Sequence, residues 1–344
     1  MKSIIIVSNQ LQFINAVECL KYLHSEDNTL IIDCASDIRG EQFSKLLKLD
    51  LYAKVFRNIY YTSITKNQCV YIDLIYTKFL LFILTFIFRY EKVIIGNYNS
   101  LKHKYLISVG LKFNRNLEAI VVDDGTLSFF YPEIRAKEKV LCKSDRSFEY
   151  SRFIKYIYYN KFNNIVRSII TFYTLYNLKF STSDYVIKNK FSYLSQNISS
   201  VVDGSIDINS YEKIIVAQPF LQFNALSREN YNKCINQIIG NTPKSKILYV
   251  AHPAETDYPD NFSELSIIKF ALPFECLVRL INQNSVLYGF TSSVLINAKQ
   301  LCPNMKIVAI NLCSIFYKDS DFIQVSSKIY TSFKENGIEV IPCQ

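Results

Sequence analysis

Three short polar stretches stand at the ends of apolar runs and carry the side chains best suited to chemistry. Asp123–Gly125 follows the run 119–122, His252–Pro253 follows the run 247–251, and Thr291–Ser293 opens the apolar run 294–296. In parallel α/β sheets, ligands bind outside the carboxyl ends of the strands. The sequence therefore predicts that these stretches build one site.

The first stretch offers a general base. Successive strand residues point to opposite faces, so one of Asp123 and Asp124 is predicted to enter the site while the other braces a turn that Gly125 permits. A carboxylate within about 3 Å of a hydroxyl can take its proton. The sequence does not decide which aspartate is the base, although Asp124, nearer the turn, is favoured. An ordinary Asp-Gly turn is the alternative interpretation.

The second stretch offers a histidine at a strand end. Pro253 donates no ladder hydrogen bond and biases His252 to extended geometry, so the strand stops there. An imidazole near a phosphate can stabilise negative charge or donate a proton. The alternative is a histidine that only caps a strand. The other histidines, His24 and His103, fall within helical patterns and are predicted to be packing or surface residues.

The third stretch is predicted to bind phosphate. Ser292 and Ser293 follow Gly289 and precede an apolar helix, so hydroxyl groups and free N–H groups meet at the positive end of a helix dipole. Upstream, Pro273 suits the first turn of another helix. Glu275 in that turn is predicted either to accept hydrogen bonds from ribose hydroxyls or to interact with the dipole. For the serines, the alternative is an ordinary N-cap.

Other ligand motifs are missing from the chain. No Gly-x-Gly-x-x-Gly or Gly-x-x-x-x-Gly-Lys-Ser/Thr loop occurs, which argues against dinucleotide oxidoreductases and P-loop enzymes. Asp319–Asp321 matches the Asp-x-Asp of metal-dependent sugar transferases, but its polar neighbours predict a solvated loop. We therefore expect a site without metal or cofactor.

The elements that must position these residues alternate between strand and helix signals, which predicts parallel βαβ units in a doubly wound α/β fold. Residues 131–200 are predicted to be mostly helical and 201–211 to be a linker. This suggests two Rossmann-like domains, 1–200 and 201–344, facing across a central cleft. Predicted strands cover residues 4–7, 30–33, 55–61, 92–95, 120–122, 213–217, 246–250, 265–269, 286–288 and 306–310. Predicted helices cover residues 11–20, 41–49, 72–90, 101–109, 227–239, 273–281 and 292–299.

Composition describes a folded chain that can bury a large core. The 344 residues are 49% hydrophobic and 20% charged, and the nine cysteines are scattered with no Cys-x-x-Cys pair. This pattern indicates neither a disulfide framework nor a zinc site and favours a reducing cytosol. The apolar run 4–7 is too short and wrongly flanked for a signal peptide.

Two segments have compositions that could bind a membrane surface. Phe79–Phe88 is uncharged but only about half as long as the roughly 20 residues of a spanning helix, so it is predicted to be a buried helix, with an interfacial anchor as the alternative. The segment 151–200 is basic and rich in aromatic residues, a composition that suits an anionic leaflet or an exposed face of a packed domain. No nucleic-acid motif accompanies it, so nucleic acid is not predicted as a partner.

The order Asp-Asp-Gly, His-Pro, Pro-x-Glu, Ser-Ser resembles that of bacterial sialyltransferases, particularly glycosyltransferase family 52, which includes lipooligosaccharide α-2,3-sialyltransferases. The resemblance covers most of the chain in the right order. Similar flanking pieces are Asn9–Gln12, Asn15–Glu18, Ile95–Tyr98 and Ala217–Phe220.

That resemblance implies a GT-B-like fold, CMP-sialic acid as donor, no metal, and inversion at the anomeric carbon. An aspartate would be the base and His252 would assist the departing phosphate. The acceptor would be a galactose-type hydroxyl of a lipooligosaccharide or capsule. Asn9 and Gln12 would lie on the acceptor side. The donor would be held by Gly125, Gln218, Pro253, Glu275, Gly289, Ser292 and Ser293.

Several alternatives stay open at this stage. In one alternative the donor carries a related nonulosonic acid, and in another it is a UDP-sugar. In a third, the protein is not an enzyme and binds the membrane surface. The enzyme is expected in the cytoplasm, with peripheral association to the inner membrane as an option. The sequence does not decide the acceptor sugar, the linkage, or whether the protein forms a homodimer.

Overall fold

The computed structural model describes residues 1–34, 38–62, 79–86, 89–141, 165, 168–197, 207–258, 265–270, 272–316 and 320–343. The chain divides into two compact units, Met1–Asn197 and Ile198–Gln344. Each unit has its own parallel sheet. Within the described ranges, no helix combines the length and the apolarity needed to cross a bilayer.

The first unit is built on a seven-stranded sheet in the order β3-β2-β1-β4-β5-β6-β7, with every neighbouring pair parallel. Strands β1, β2, β4, β5 and β6 are buried almost throughout, as expected for a sheet covered on both faces. The order in which the strands are added across the sheet reverses between β1 and β4, and α/β folds bind ligands at such a point. The strands are β1 (Lys2–Val7), β2 (Asp27–Ile32), β3 (Asn58–Tyr61), β4 (Lys92–Ile95), β5 (Glu118–Val122), β6 (Ile170–Thr174) and β7 (Tyr185–Lys188).

Side-chain caps begin the longest helices of this unit. Asn9 caps the helix after β1 by accepting a hydrogen bond from the Gln12 backbone N–H, and Ser100 caps the helix after β4 in the same way through His103. A 3-10 turn, Gly125–Phe130, follows β5. The helices are Gln10–Tyr22, Ile38–Leu47, Asp50–Ala53, 79–86, Leu101–Phe113, Tyr131–Leu141 and Ser192–Asn197.

The second unit repeats the architecture with a six-stranded parallel sheet in the order β10-β9-β8-β11-β12-β13. Its order reverses between β8 and β11. The strands are β8 (Lys213–Val216), β9 (Ile247–Val250), β10 (Ser266–Ile268), β11 (Val286–Gly289), β12 (Lys306–Asn311) and β13 (Glu339–Pro342). The helices are Arg228–Ile239, Val294–Leu301 and Ser320–Glu335.

The two doubly wound parallel sheets confirm the predicted α/β class, but several elements differ from the sequence prediction. In the described part of the segment 131–200, which was predicted to be mostly helical, β6 and β7 lie between the helices Tyr131–Leu141 and Ser192–Asn197. The run Ile170–Thr174 is buried on every residue and therefore shows no alternation typical of a strand. The predicted helix 273–281 is two short 3-10 turns, Phe274–Cys276 and Val278–Leu280. Ser320 and Asp321 begin a helix and do not lie in a loop; Asp319 lies outside the described residues.

Some predictions fall partly on residues that the structure does not describe. Of the predicted helix 72–90, residues 79–86 and 89–90 are described; 79–86 are helical and 89–90 are not. Most of the basic aromatic segment 151–200 before residue 168, and residues 201–206 of the predicted linker, lie outside the described ranges.

A disulfide joins Cys234, on the helix Arg228–Ile239, to Cys343, directly after β13. The sequence analysis expected no disulfide, because residues 109 positions apart show no spacing signal. The fold itself brings the two Cα atoms to 5.6 Å, within the usual range for a disulfide. The bond ties the C-terminal edge strand to the core of the second unit.

Reduction of this disulfide is expected to lower the free energy of unfolding by about 2–4 kcal/mol, because it opens a long loop in the unfolded chain. Thermal melting with and without dithiothreitol measures the effect. Cys343→Ser should melt at the reduced temperature under both conditions. Cys313→Ser, which changes a partly exposed unpaired cysteine, should behave like the wild type. A wild-type melting temperature that is the same with and without dithiothreitol would contradict the disulfide.

Candidate active site

The two aspartates after β5 occupy different environments. Asp123 is 2% exposed, and its carboxylate accepts hydrogen bonds from Thr174 Oγ1 at 2.5 Å and from the Leu175 backbone N–H at 2.7 Å. Burial raises the pKa of Asp123 to about 7, although these hydrogen bonds favour the ionised form. Asp123 therefore joins the carboxyl ends of β5 and β6 inside the protein.

Asp124 is half-buried and lies at the carboxyl edge of the sheet. Its Oδ1 accepts hydrogen bonds from Asn9 Nδ2 at 2.8 Å and from Gln12 Nε2 at 2.5 Å. Its backbone N–H donates to Ser128 Oγ at 2.9 Å, and Gly125, with φ of 66°, makes the turn that follows. Two amide donors on one oxygen fix the direction of the carboxylate. Such a carboxylate is suited to act as a general base.

The Asn9 and Gln12 side chains, which donate to Asp124, also accept hydrogen bonds from the backbone. Asn9 Oδ1 accepts from the Gln12 backbone N–H at 2.9 Å, and Gln12 Oε1 accepts from the Ser8 backbone N–H at 2.7 Å. Asn9 and Gln12 were predicted to lie on the acceptor side, but their contact with Asp124 was not predicted. Because the ends of β1 and β5 are joined this way, the carboxylate has a rigid support.

Gly96, directly after β4, leaves room for the Gln12 side chain. A Cβ at this position would lie 2.2 Å from Gln12 Oε1 and 2.7 Å from Gln12 Cβ. We therefore expect Gly96→Ala to displace Gln12 and to lower turnover by roughly tenfold by loosening Asp124. Kinetics and circular dichroism measure activity and folding. Gln12→Ala should have an effect of similar size, and full activity in both variants would show that the amide contact is not needed.

A second polar cluster at the same sheet edge was not predicted. The first residues after β1, β2 and β3 are Ser8, Asp33 and Thr62, and they surround the buried His103 and the amine of Lys102. Asp33 Oδ1 accepts from Thr62 Oγ1 at 2.7 Å and from Lys102 Nζ at 2.9 Å. Burial favours the neutral carboxyl, but the hydrogen bonds from His103, Lys102 and Thr62 outweigh it and hold the pKa of Asp33 well below its usual range. The sequence signal that could have predicted this cluster is the polar residue directly after each of these strands.

His103 is not arranged as the base of a nucleophilic triad. Its Nδ1 accepts from the Asn97 backbone N–H at 3.0 Å, and its Nε2 lies 3.0 Å from Ser8 Oγ and 3.7 Å from Asp33 Oδ2. A Ser-His-Asp triad needs the serine and the aspartate on different ring nitrogens. His103 instead holds the loops after β1 and β4 together, which matches its predicted packing role.

In the second unit, His252 follows β9 and is half-buried. Its backbone N–H donates to Glu255 Oε2 at 3.1 Å, and its Nδ1 accepts from the Ala254 backbone N–H at 3.1 Å. With Nδ1 as an acceptor, the neutral ring carries its proton on Nε2. The half-buried Pro253 lies within the same turn. The turn therefore presents His252 as a hydrogen-bond donor through Nε2.

Glu255 supports this turn from inside the core. It is 1% exposed, and its Oε1 accepts from Tyr249 OH at 2.6 Å, whose oxygen lies 3.0 Å from Tyr231 OH. Burial raises the pKa of Glu255 to about 7. The sequence analysis did not select Glu255, although its position three residues after a strand-end histidine is typical of a side chain that closes a turn.

The raised pKa of Glu255 predicts that stability falls as pH rises. Between about pH 4.5 and pH 7 the folded protein keeps a proton that the unfolded chain releases, which stabilises it by about 3 kcal/mol at the acid end. That contribution disappears as pH passes through about 7. Asp123 adds a contribution of the same sign.

Urea unfolding at several values between about pH 5 and pH 8 measures this dependence. The wild type should lose stability across the range, and Glu255→Gln should show a clearly shallower slope, since the contribution of Glu255 is removed while those of Asp123, Glu275 and Glu18 remain. An unchanged slope in Glu255→Gln would contradict the assignment.

The stretch after β11 forms the start of the helix Val294–Leu301. Ser293 is its N-cap and makes no side-chain capping bond, while Ser292 Oγ accepts from the Val294 backbone N–H at 3.3 Å. Gly289 allows the helix to approach, because a Cβ there would lie 2.9 Å from Leu295 Cδ2. Both serines are half-buried. This arrangement matches the predicted helix start and leaves the Ser293 hydroxyl outside the capping role.

Gln218 and Glu275 lie close to this helix start. Gln218 Oε1 accepts from the Thr291 backbone N–H at 2.7 Å and from Thr291 Oγ1 at 3.0 Å, which joins the ends of β8 and β11 where the strand order reverses. Glu275 is buried and accepts from Asn297 Nδ2 at 2.7 Å, and burial raises its pKa. The contact of Glu275 with the helix interior was not predicted.

Across the described residues, the structure brings the predicted side chains into two groups, one in each unit. Asn9, Gln12, Asp123, Asp124 and Gly125 share the carboxyl edge of the first sheet. At the carboxyl edge of the second sheet, Gly289 ends β11 and residues 218, 252, 253, 292 and 293 follow strands, with Glu275 beside them. No group of three or more histidine, cysteine, aspartate or glutamate side chains arranged to hold a metal occurs in these ranges.

Solved structures with the same fold come from sugar-nucleotide enzymes. An α/β-galactoside α-2,3-sialyltransferase from Photobacterium phosphoreum superposes with a TM-score of 0.57 at 13% identity, covering 98% of this chain and 98% of that chain. A UDP-GlcNAc 2-epimerase from Neisseria meningitidis gives a TM-score of 0.57 at 11% identity, covering 99% and 95%. The glycosyltransferase VinC gives 0.55 at 9% identity, covering 100% and 87%. These similarities confirm the predicted GT-B fold.

Sequence comparison gives the family. No curated protein sequence matches the chain. The family model described as alpha-2,8-polysialyltransferase matches residues 3–311 of the 344. Since this match spans far more than half of the sequence, the chain belongs to the alpha-2,8-polysialyltransferase family and is a sialyltransferase.

Proposed function

We propose that this sialyltransferase moves sialic acid from CMP-sialic acid to a hydroxyl group of a cell-surface glycan, with inversion and without a metal ion. The observation that carries the proposal is Asp124, a carboxylate oriented by Asn9 and Gln12 at the carboxyl edge of the first sheet. It has the fixed direction that a general base needs. The proposed location is the cytoplasmic face of the inner membrane.

The proposed reaction is a single displacement. The acceptor hydroxyl oxygen attacks the anomeric carbon of the donor while Asp124 takes the hydroxyl proton. The bond between the anomeric carbon and the phosphate oxygen breaks, and its electron pair leaves with CMP. The products are the sialylated acceptor and CMP, and the proton on Asp124 is then lost to water.

The second unit supplies groups that suit the departing phosphate. His252 presents Nε2–H, and Ser292 and Ser293 stand at a helix start whose dipole favours negative charge. Donors placed where negative charge grows are worth roughly 3 kcal/mol each in comparable sites. Gln218 accepts a hydrogen bond from Thr291, the residue before Ser292, so the helix start is held in place before the donor binds.

The acceptor in this proposal is the terminal sugar of a capsule or lipooligosaccharide. The description of the matched family favours a sialic acid terminus and an α-2,8 linkage. A galactose-type terminus, as in the name of the Photobacterium phosphoreum enzyme, is the second candidate. Incubation with CMP-sialic acid and either a galactoside or a sialyl-galactoside, followed by mass spectrometry of the products, distinguishes the two.

Thermal-shift titration tests the donor. Because a ligand that binds the folded state raises the melting temperature, CMP should stabilise the protein with or without magnesium, whereas UDP should not. Stabilisation by UDP alone would overturn the choice of CMP-sialic acid and favour a UDP-sugar. A strict requirement for magnesium would overturn the metal-free mechanism. Transfer of a different nonulosonic acid in preference to sialic acid would change the donor but not the mechanism.

A further inference from the structure

The helical segment 79–86 has two apolar faces. Leu81 and Leu84 are buried in the core of the first unit. Phe79, Phe82 and Phe86 lie three and four positions apart on the other face and are 63%, 41% and 59% exposed. A surface helix normally carries polar residues on its outer face, so three exposed phenylalanines on that face call for an explanation.

A fourth phenylalanine extends this face. Phe113, at the end of the helix Leu101–Phe113, is 36% exposed, and its ring centroid lies 5.3 Å from that of Phe82 and 5.5 Å from that of Phe86. The rings of Phe82 and Phe86 are stacked, with centroids 6.2 Å apart. These four residues form one exposed cluster from two elements, which we call the phenylalanine patch.

The patch has a basic edge. Lys112 and Arg115 are exposed beside Phe113, and Arg89 is exposed three residues after Phe86. The Asn114 side chain donates to the Tyr90 carbonyl at 3.0 Å, which holds the two segments together. Glu91 is an exposed acid next to Tyr90, so the exposed charged residues that flank the patch in the sequence, Arg89, Glu91, Lys112 and Arg115, carry a net positive charge.

We propose that the phenylalanine patch is the surface through which this protein docks on an anionic lipid bilayer. Exposed aromatic rings gain free energy by entering the boundary between headgroups and acyl chains, and nearby lysine and arginine residues are attracted to anionic headgroups. The proposal does not depend on the donor or the acceptor of the sialyl transfer.

The charges distinguish a bilayer from a second copy of this chain. In a two-fold symmetric dimer the same patch faces itself, so the excess of positive charge beside one patch would lie close to the same excess beside the other. Like charges at such an interface repel. An anionic bilayer instead complements both the rings and the cations of the patch.

Vesicle flotation with the full-length protein tests the proposal. The vesicles are phosphatidylcholine alone, or phosphatidylcholine with about one third phosphatidylglycerol. The ring variant is Phe82→Ser/Phe86→Ser, and its control is Phe223→Ser, which removes a ring that is 72% exposed in the second unit. The charge variant is Lys112→Glu/Arg115→Glu, and its control is Lys45→Glu/Lys48→Glu, which makes the same charge change at exposed lysines elsewhere.

The wild type should partition at least about tenfold more strongly into the anionic vesicles than into the neutral ones, because the basic residues beside the patch are attracted to anionic headgroups. Both patch variants should lose about tenfold or more on anionic vesicles, while the two controls stay within about twofold of the wild type. Circular dichroism melting should show that all variants are folded.

Three results would overturn the proposal. One is a wild-type protein that does not float with anionic vesicles. Another is a pair of patch variants, folded like the wild type, that bind as strongly as the controls. The third is a change of oligomeric state by size-exclusion chromatography in the ring variant without any loss of vesicle binding, which would instead assign the patch to contact between copies.

Discussion

Asp124→Asn is expected to lower kcat for sialyl transfer by at least about a hundredfold while the protein stays folded and still binds CMP. Asparagine has nearly the same shape and can still accept the hydrogen bonds from Asn9 Nδ2 and Gln12 Nε2. It cannot take the proton of an acceptor hydroxyl, and general-base catalysis typically contributes a factor of about 10² to 10⁴. Initial rates with CMP-sialic acid, together with the thermal shift on adding CMP, measure both properties.

The neighbouring aspartate provides the control. Asp123→Asn places an amide group in a buried site where Thr174 and the Leu175 N–H both donate, so one donor loses its acceptor. We expect Asp123→Asn to lower the melting temperature. Turnover near the wild-type level in purified Asp124→Asn, or a hundredfold loss only in a folded Asp123→Asn, would contradict Asp124 as the base.

The difference between these two aspartates shows where the sequence stopped being informative. The apolar run and the Asp-Asp-Gly turn predicted a strand end with one carboxylate inside and one in the site. Which one is buried depends on β6, because its last residue Thr174 and the following Leu175 bind Asp123. This region was predicted to be mostly helical, because a short strand that is buried on every residue shows no alternation of apolar and polar residues.

The support of Asp124 was beyond sequence reasoning for a similar reason. Asn9 and Gln12 are more than a hundred residues from Asp124 in the sequence. They meet it because β1 and β5 both flank β4 in the sheet. The alternation of strands and helices predicted parallel strands but not their order, so it could not specify which loops are neighbours.

In the second unit the local signals were stronger, because the predicted groups lie within single turns. Pro253 marked the end of the strand before His252, and Gly289 with two serines marked the helix start at Val294. The helix predicted over 273–281, which contains Glu275, was wrong. The apolar neighbours of Glu275 suggested a regular helix, whereas the chain makes two 3-10 turns that direct Glu275 toward Asn297. This choice depends on packing against the helix Val294–Leu301.

His252→Ala is expected to lower kcat by at least about a hundredfold with a smaller change in the binding of CMP. In the proposed reaction, negative charge grows on the phosphate as the bond to the anomeric carbon breaks, so a donor at this point acts mainly in the transition state. The Ala254 backbone N–H occupies Nδ1, which leaves Nε2–H as the donor of the neutral ring. Steady-state kinetics with CMP-sialic acid, compared with thermal shifts on adding CMP, separate the two effects.

His252→Gln tests whether His252 acts as a hydrogen-bond donor or as an acid. Glutamine also carries an N–H donor near the end of its side chain but does not release a proton, so partial recovery relative to His252→Ala would support the donor role. Activity as low as in His252→Ala would instead favour proton donation to the leaving phosphate. His24→Asn, at an exposed histidine with φ of 52° that asparagine tolerates, should leave kcat unchanged. Near-normal turnover in His252→Ala would remove His252 from the mechanism and leave the phosphate to Ser292, Ser293 and the helix start.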